Sequence, residues 1–200
     1  MKLLFVFGAL FSYILSGINP AVIISKAVYK TDIRKSGSKN PGFTNFRRVF
    51  GGKWAYVVLF IDIFKSLSMT LIFGYLFEKA GLDRAFGAAY SGFFATVGHV
   101  FPVWYKFKGG KGFLVCISSI WVVSPLTGLF ATIVMALVLF FTRYMSLADI
   151  CAVISAPLFM LLFGIGGYSL LFVCMGSALV VIRHKDNIKR LIHGKESKII

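Results

Sequence analysis

Long hydrophobic runs separated by short polar segments account for most of the 200-residue chain. None of the runs alternates polar and apolar residues with a period of two, so helices are indicated rather than the strands of a membrane barrel. The run at 113–141 is too long for one membrane helix and contains Pro125, and because proline breaks helices we divide it at Ser124-Pro125. The pattern then predicts seven membrane-spanning helices, within residues 3–24, 54–77, 85–105, 113–124, 125–141, 147–163 and 167–182.

The first hydrophobic run resembles a signal peptide, with Lys2 before it. It is long for a signal peptide and lacks a clear cleavage site of small residues, so we expect it to remain as the first membrane helix. No internal repeat or linker divides the chain. We therefore expect one membrane-integral domain over residues 1–200.

Composition supports a membrane protein. Hydrophobic residues make up 58% of the chain, only 14% of residues are charged, and mean hydropathy is +0.84. A soluble fold of this size could not bury so much apolar surface, whereas a bilayer covers it. We conclude from the sequence that the fold class is all-α and the chain is a polytopic membrane protein.

The basic residues are distributed unevenly, and their distribution predicts an orientation. Net charge is +15, and with the N-terminus outside, 18 lysines and arginines fall in segments facing the cytoplasm against 3 facing outward. Cytoplasmic loops of membrane proteins carry such an excess. A six-helix layout without the Pro125 break would place Arg143 and the basic tail outside, so we reject it. We expect the C-terminus to be cytoplasmic, and no nucleic acid partner, since the charges lie in short loops.

Few unusual residues interrupt the hydrophobic runs. Asp62 and Lys65 are three residues apart and form either a mutually neutralising buried pair or a support for a site. The three cysteines stand singly in apolar runs without nearby cysteine or histidine, so we expect neither a disulfide framework nor a metal site.

Three polar segments, all on the predicted cytoplasmic side, concentrate the chemistry. The first, residues 36–48, is rich in small residues, hydroxyls and amides and ends in two arginines. Glycines let backbone amides approach an anion, and an arginine such as Arg48 can bind phosphate through two parallel hydrogen bonds. The segment could instead be a flexible basic loop.

The second segment, residues 98–112, ends in Gly109-Gly110-Lys111-Gly112 directly before a predicted helix. Glycines and a lysine at a helix N-terminus form a suitable phosphate site. The segment is not a Walker A loop, because Gly112 stands where Ser or Thr would bind magnesium. For His99, a packed and hydrogen-bonded side chain is the simpler interpretation.

The third segment, residues 183–196, contains His184 and Asn187, which share one face if the segment is helical. It could also be a basic amphipathic helix lying on anionic lipid. Because loops on one face can converge, the three segments together indicate an enzyme or binder of phosphorylated or otherwise anionic substrates.

Together, the segments resemble three ordered motifs of the bacterial acyl-phosphate:glycerol-3-phosphate acyltransferases. Residues 38–48 are similar to S-x-N-x-G-A-T-N-x-x-R, and residues 98–112 closely match G-H-x-x-P-x-x-x-x-F-K-G-G-K-G. The tail is similar to R-H-x-x-N-I-x-R-L followed by G-x-E, and residues 143–147 resemble R-Y-x-S-L. The chain departs from the family at Phe43, where Ala is usual, and at Ser66, where Gly is usual.

The resemblance implies transfer of an acyl group from acyl phosphate to the 1-hydroxyl of glycerol 3-phosphate, the first step of phospholipid synthesis. It gives lysophosphatidic acid and phosphate. The site residues that we expect fall into three groups. We assign Ser38, Arg48 and Lys111 to the acyl phosphate, and His184 and Asn187 to glycerol 3-phosphate. Further substrate contacts are expected from Asn40, Gly42, Thr44, Asn45, Ser146, Gly109, Gly110, Gly112 and Glu196.

Either His184 or the departing phosphate could take the proton from the acceptor hydroxyl. The chain lacks the H-x-x-x-x-D motif, since Trp104 stands at the last position after His99, so acyl-CoA is not expected as the donor. We expect no cofactor and no metal. The implied location is the bacterial cytoplasmic (inner) membrane, with the site facing the cytoplasm.

Two other classes of protein, a transporter and a membrane scaffold, are alternatives to an enzyme. A small anion or lipid-phosphate transporter would need polar residues along a path at mid-bilayer and loop charges on both faces. The nearly apolar runs and the charge asymmetry argue against a transporter. A membrane scaffold would leave the Gly-Gly-Lys-Gly run and the His184/Asn187 pair without a purpose.

Overall fold

A computed structural model describes residues 1–199, and all of their regular structure is helical. Short 3₁₀ turns occur at Ile33–Lys35 and Val103–Tyr105. The α-helices in chain order are α1 (Lys2–Ser16), α2 (Pro20–Tyr29), α3 (Phe43–Phe50), α4 (Gly52–Lys79), α5 (Arg84–Val100), α6 (Phe113–Val123), α7 (Pro125–Thr142), α8 (Met145–Leu162), α9 (Gly167–Arg183) and α10 (Lys185–Ile192).

Every predicted hydrophobic run is helical, but the first is not one continuous helix. It breaks after Ser16 and resumes at Pro20, because Asn19 caps α2 by accepting a hydrogen bond from the amide of Val22 at 3.0 Å. The helix then continues to Tyr29, beyond the predicted end at residue 24. The predicted helix at 85–105 is also shorter than expected, ending at Val100.

The break at Ser124-Pro125 lies where the sequence predicts it. Helix α6 ends at Val123, and the Ser124 side chain caps α7 by accepting from the amide of Thr127 at 3.2 Å. Pro125 occupies the first helical position, where no backbone donor is needed.

Four helical segments are long and apolar enough to cross a bilayer: Lys2–Tyr29, α4, α7 and α8. A fifth is formed if α9 and α10, which meet at 56°, are counted together. Large apolar side chains such as Phe64, Phe140 and Leu162 project outward, as the helices of a membrane protein require. The number of spans and their orientation stay predictions.

Helix α5 lies at the centre of the bundle and packs against α1, α4, α6 and α9. Small residues line it, and Gly87 and Gly92 lie against Phe77 and Ser119 without room for a side chain. Small residues let membrane helices approach closely and gain packing energy. The short helices α3 and α10 pack against α4 and α8 respectively, which brings the first and third polar segments to one cavity.

Candidate active site

A single cavity of about 880 Å³ is lined by residues from all three polar segments. Its polar wall includes Ser38, Asn40, Gly42, Thr44, Asn45, Arg48, Lys111, Gly112, Ser146, Asp149, Asn187, Arg190 and Glu196. Its apolar wall includes Leu59, Ile63, Leu67, Phe113, Leu114, Ile117, Trp121 and Met135. The cavity can therefore hold a ligand with an anionic end and a long apolar end.

A hydrogen-bond network joins the second and third segments on the polar wall. The Lys111 ammonium donates to Asn187 Oδ1 at 2.6 Å, and Asn187 Nδ2 donates to Glu196 Oε1 at 2.6 Å. The same oxygen accepts from Ser146 Oγ at 2.8 Å, while Arg190 Nε donates to Glu196 Oε2 at 2.6 Å. Four residues expected from the sequence thus belong to one network.

Charges within this network are mutually adjusted. Burial lowers the pKa of Lys111 below its ordinary value, and attraction to Asp149 and Glu196 offsets part of that effect. Burial alone would raise the pKa of Glu196, but hydrogen bonds from Ser146, Arg190 and Asn187 outweigh it, so the pKa of Glu196 is lowered. At neutral pH the network therefore contains an ionised carboxylate.

The first segment is shaped by Asn45, which is buried at the start of α3. Its Oδ1 accepts from the amide of Ser38 at 2.8 Å, and its Nδ2 donates to the carbonyl of Ser36 at 3.0 Å. Both halves of the amide are thus used to hold the turn at Gly37, whose φ of +57° favours glycine. Asn45 lines the cavity but serves chiefly to present Ser38 to it.

The structure does not bring two of the predicted contacts, Gly109 and Gly110, to the cavity lining. The amides of Gly109 and Gly110 donate at 3.1 Å to the carbonyls of Val100 and His99, and neither glycine lines the cavity. A Cβ at either position would collide with His99. These glycines therefore allow the loop to pack on the end of α5, and only Lys111 and Gly112 of this run reach the cavity.

His184 is also placed differently from the prediction. Its side chain is fully buried and does not line the cavity, and its Nδ1 lies 2.8 Å from the carbonyl of Val180. Its Nε2 lies 3.5 Å from Asp149 Oδ2. His184 thus contacts the side chain of Asp149, which lines the cavity.

The Asp62 and Lys65 pair is a buried ion pair at 2.8 Å. The Lys65 ammonium also donates to the carbonyl of Ile18 at 3.0 Å and lies 3.2 Å from His99 Nδ1. His99 is therefore packed and hydrogen-bonded, as expected. Asp62 and His99 also line the cavity. The cluster of Asp62, Lys65 and His99 therefore forms part of the support of the cavity wall.

The apolar part of the cavity lies between α4, α6 and α7. Trp121 and Thr132 close it, with the indole Nε1 donating to the threonine hydroxyl at 3.1 Å. Phe43, where the family usually has alanine, also lines the cavity, and its ring lies 5.9 Å from that of Tyr56.

Asp149 and Arg190 are the cavity residues that sequence reasoning missed. Both could have been found from spacing, since Asp149 follows Ser146 by three residues and Arg190 follows Asn187 by three. An ionisable residue within a hydrophobic run is itself a sign of function. Within residues 1–199, no three histidine, cysteine, aspartate or glutamate side chains come together as a metal site.

Comparison with known proteins identifies the class. The family model "Glycerol-3-phosphate acyltransferase" matches residues 6–194. The glycerol-3-phosphate acyltransferase of Paraburkholderia phymatum is 39% identical over 192 residues, which cover 96% of this chain and 90% of that one. The Aquifex aeolicus protein of the same name is 36% identical over 198 residues, covering 99% and 100%.

A solved structure supports the same class of protein. The crystal structure of PlsY (YgiH), an integral membrane glycerol 3-phosphate acyltransferase in its glycerol 3-phosphate form, superposes with a TM-score of 0.89 at 34% identity. The match covers 97% of this chain and 94% of that one. The fold and the cavity thus define an integral membrane acyltransferase. The chain belongs to the glycerol-3-phosphate acyltransferase family.

Proposed function

We propose that the protein transfers an acyl group from acyl phosphate to the 1-hydroxyl of glycerol 3-phosphate, producing lysophosphatidic acid and inorganic phosphate. The observation that carries the proposal is the Lys111–Asn187–Glu196 network on the wall of a cavity whose remaining wall is apolar. Both substrates are phosphate esters or anhydrides, and one carries a long acyl chain. The printed names of the relatives support glycerol 3-phosphate as the acceptor.

On the donor side, Arg48 and Lys111 supply positive charge, and Ser38 a hydroxyl, for the phosphate of the acyl phosphate. Arg48 is exposed at the cavity and close enough to Lys111 to depress its pKa electrostatically. A phosphate between the two cations would remove this repulsion. The acyl chain would then extend along Leu59, Ile63 and Ile117 into the apolar part.

On the acceptor side, Asn187 and Arg190 provide donors for the phosphate of glycerol 3-phosphate. Glu196 and Ser146 hold these two side chains in place. Asn40, Gly42, Thr44 and Gly112 complete the polar wall. Holding two anionic substrates together is a task of positioning and of charge neutralisation, which is the principal requirement for an already activated donor.

In the transfer step, the acceptor hydroxyl oxygen bonds to the carbonyl carbon, and the bond from that carbon to the phosphate oxygen breaks. The bonding electron pair leaves with the phosphate. The hydroxyl proton passes to the departing phosphate, which leaves as the hydrogen phosphate dianion, so atoms and charge balance. The burial of His184 behind Asp149 favours phosphate over His184 as the proton acceptor.

The proposed setting is the bacterial inner membrane, with seven spans, the N-terminus outside, and the C-terminus and the site at the cytoplasmic face. The charge asymmetry supports this orientation. No cofactor and no acyl-CoA donor are proposed. A water-soluble acceptor would enter from the cytoplasm and a lipid-like donor from the bilayer.

The test is phosphate release by the protein in a lipidic environment. With palmitoyl phosphate, release should require glycerol 3-phosphate, and palmitoyl-CoA should not replace the donor. Arg48→Ala should lower kcat/KM for palmitoyl phosphate by roughly 100-fold, the loss expected for a charge-assisted contact. Arg47→Ala is the matched control, since Arg47 does not line the cavity. Wild-type protein that releases no phosphate, or that uses palmitoyl-CoA equally well, would refute the proposed donor.

A further inference from the structure

Asp149 is one of three carboxylates, with Asp62 and Glu196, in the described part of the cavity wall. Its side chain is 13% exposed, and its Oδ2 lies 3.5 Å from His184 Nε2. Within residues 1–199, neither Asp149 Oδ1 nor His184 Nε2 has a hydrogen-bond partner although both atoms are buried. Buried polar atoms are nearly always paired, so a carboxyl group that has an unpaired oxygen and is partly exposed in the cavity wall indicates a donor that a ligand brings.

The other carboxylates on the cavity wall are already committed. Glu196 accepts from Ser146, Asn187 and Arg190, and Asp62 is paired with Lys65. The carboxylates of Glu196 and Asp62 therefore already bind cations and amide groups of the protein. Among the described carboxylates that line the cavity, Asp149 is the one without a lysine or arginine ion-paired to it.

The imidazole of His184 packs against the carboxyl group of Asp149. The carbonyl of Val180 can only accept, so the His184 Nδ1 at 2.8 Å must carry a hydrogen. The Nε2 edge of the ring then faces Asp149 Oδ2 at 3.5 Å, so the fully buried imidazole packs behind the carboxyl group and fixes its position.

A carboxyl oxygen accepts hydrogen bonds from hydroxyls and repels phosphates. Glycerol 3-phosphate has both groups, at opposite ends. We propose that Asp149 is a substrate-contacting residue that accepts a hydrogen bond from a hydroxyl of glycerol 3-phosphate, and that His184 is a positioning residue acting through Asp149. This inference rests on the proposed function for the identity of the acceptor. A hydrogen bond to Asp149 would orient the hydroxyl end of glycerol 3-phosphate away from the cations.

Calorimetric binding to the full-length protein in lipid nanodiscs tests the inference without any acyl donor. The probes are glycerol 3-phosphate and inorganic phosphate, which shares the anionic group but lacks the carbon-bound hydroxyls. Asp149→Ala should weaken glycerol 3-phosphate binding about 10- to 100-fold, as for loss of a hydrogen bond to a charged group, and leave phosphate binding unchanged or tighter. Asp149→Asn, which keeps an acceptor oxygen, should recover part of the loss.

Asp186→Asn is the matched control, because Asp186 is exposed on α10 and does not line the cavity. It should bind both probes as the wild type does. Retained phosphate binding in Asp149→Ala shows that the variant is folded. Equal weakening of both probes, or no weakening of either, would overturn the inference while leaving the acyl transfer proposal intact. A wild type that binds phosphate but not glycerol 3-phosphate would overturn both.

Discussion

At the scale of single residues, side chains of the site differ in how much hydrogen-bonding capacity the protein itself uses. Both the oxygen and the nitrogen of the Asn45 side-chain amide form hydrogen bonds with the backbone around Ser38, so Asn45 shapes the cavity wall. Lys111 has three donors and gives one to Asn187, so two stay available for a ligand. Residue type alone does not separate these roles, which is why the motif residues looked equivalent in the sequence.

The glycines at 109 and 110 should respond to substitution as packing residues. A methyl group at Gly110 would meet the His99 ring, so Gly110→Ala should destabilise the protein by about 1–3 kcal/mol, as overpacking of a tight contact does. Thermal unfolding in detergent measures the effect. Gly166→Ala is the control, since nothing lies within 4 Å of that position. A Gly110→Ala protein of unchanged stability with weakened phosphate binding would restore the phosphate-cradle interpretation.

Lys111 should limit anion binding at alkaline pH. Burial lowers the pKa of Lys111, so on raising the pH the ammonium loses its proton earlier than an exposed lysine does. Affinity for inorganic phosphate should therefore fall at pH values below the ordinary lysine pKa of 10.5. In Lys111→Arg the guanidinium stays charged, and the affinity should be flat over that range. Parallel pH profiles in the two proteins would contradict this assignment.

At the scale of helices, the hydrophobic pattern predicted the elements well and their breaks less well. Pro125 marks its break because proline cannot continue a helix, whereas the break before Pro20 depends on the Asn19 side chain as much as on the proline. The site was predictable where motif residues meet the cavity directly. The burial of His184 and its contact with Asp149 were not predictable, because they depend on how α8 packs against α9.

The α6–α7 contact should set the length of acyl chain that the cavity accepts. Trp121 closes the apolar end through its bond to Thr132, so Trp121→Ala should lengthen the slot and favour longer acyl phosphates. The ratio of kcat/KM for 18-carbon over 16-carbon donors should rise by up to about fourfold per methylene accommodated. Trp104→Ala is the control, since Trp104 bonds to Ile14 on α1 and lies outside the cavity. If the ratio of kcat/KM changed in both variants, the cause would be a general loosening of the helix packing, and the assignment to Trp121 would be contradicted.

At the scale of the whole molecule, the cavity, the three polar segments and most of the positive charge belong together. Arg48, Lys111 and Arg190, one from each of the three segments, line the cavity, and large apolar side chains of the other helices face outward. An anionic headgroup would be attracted to the same end of the bundle that the positive-inside bias assigns to the cytoplasm. One uneven charge distribution would then account for both the predicted orientation and the proposed attraction of substrate.

The orientation makes a prediction that does not depend on activity. In a background with Cys116, Cys151 and Cys174 replaced by alanine, single cysteines would be placed in exposed positions and treated with a membrane-impermeant maleimide on intact cells. Lys79→Cys and Gly166→Cys should react, because both positions lie on the outer side in the seven-span layout.

Lys35→Cys, directly before the first polar segment, and Lys195→Cys, in the tail, should react only after the membrane is permeabilised. All four positions are solvent-exposed or open in the structure, so a lack of reaction reports on the membrane barrier and not on burial. Reaction of Lys195→Cys in intact cells would require an even number of spans and would separate the tail from Lys35. The tail supplies Glu196 to the cavity that the first segment also lines, so the structure admits only the arrangement in which both share one side.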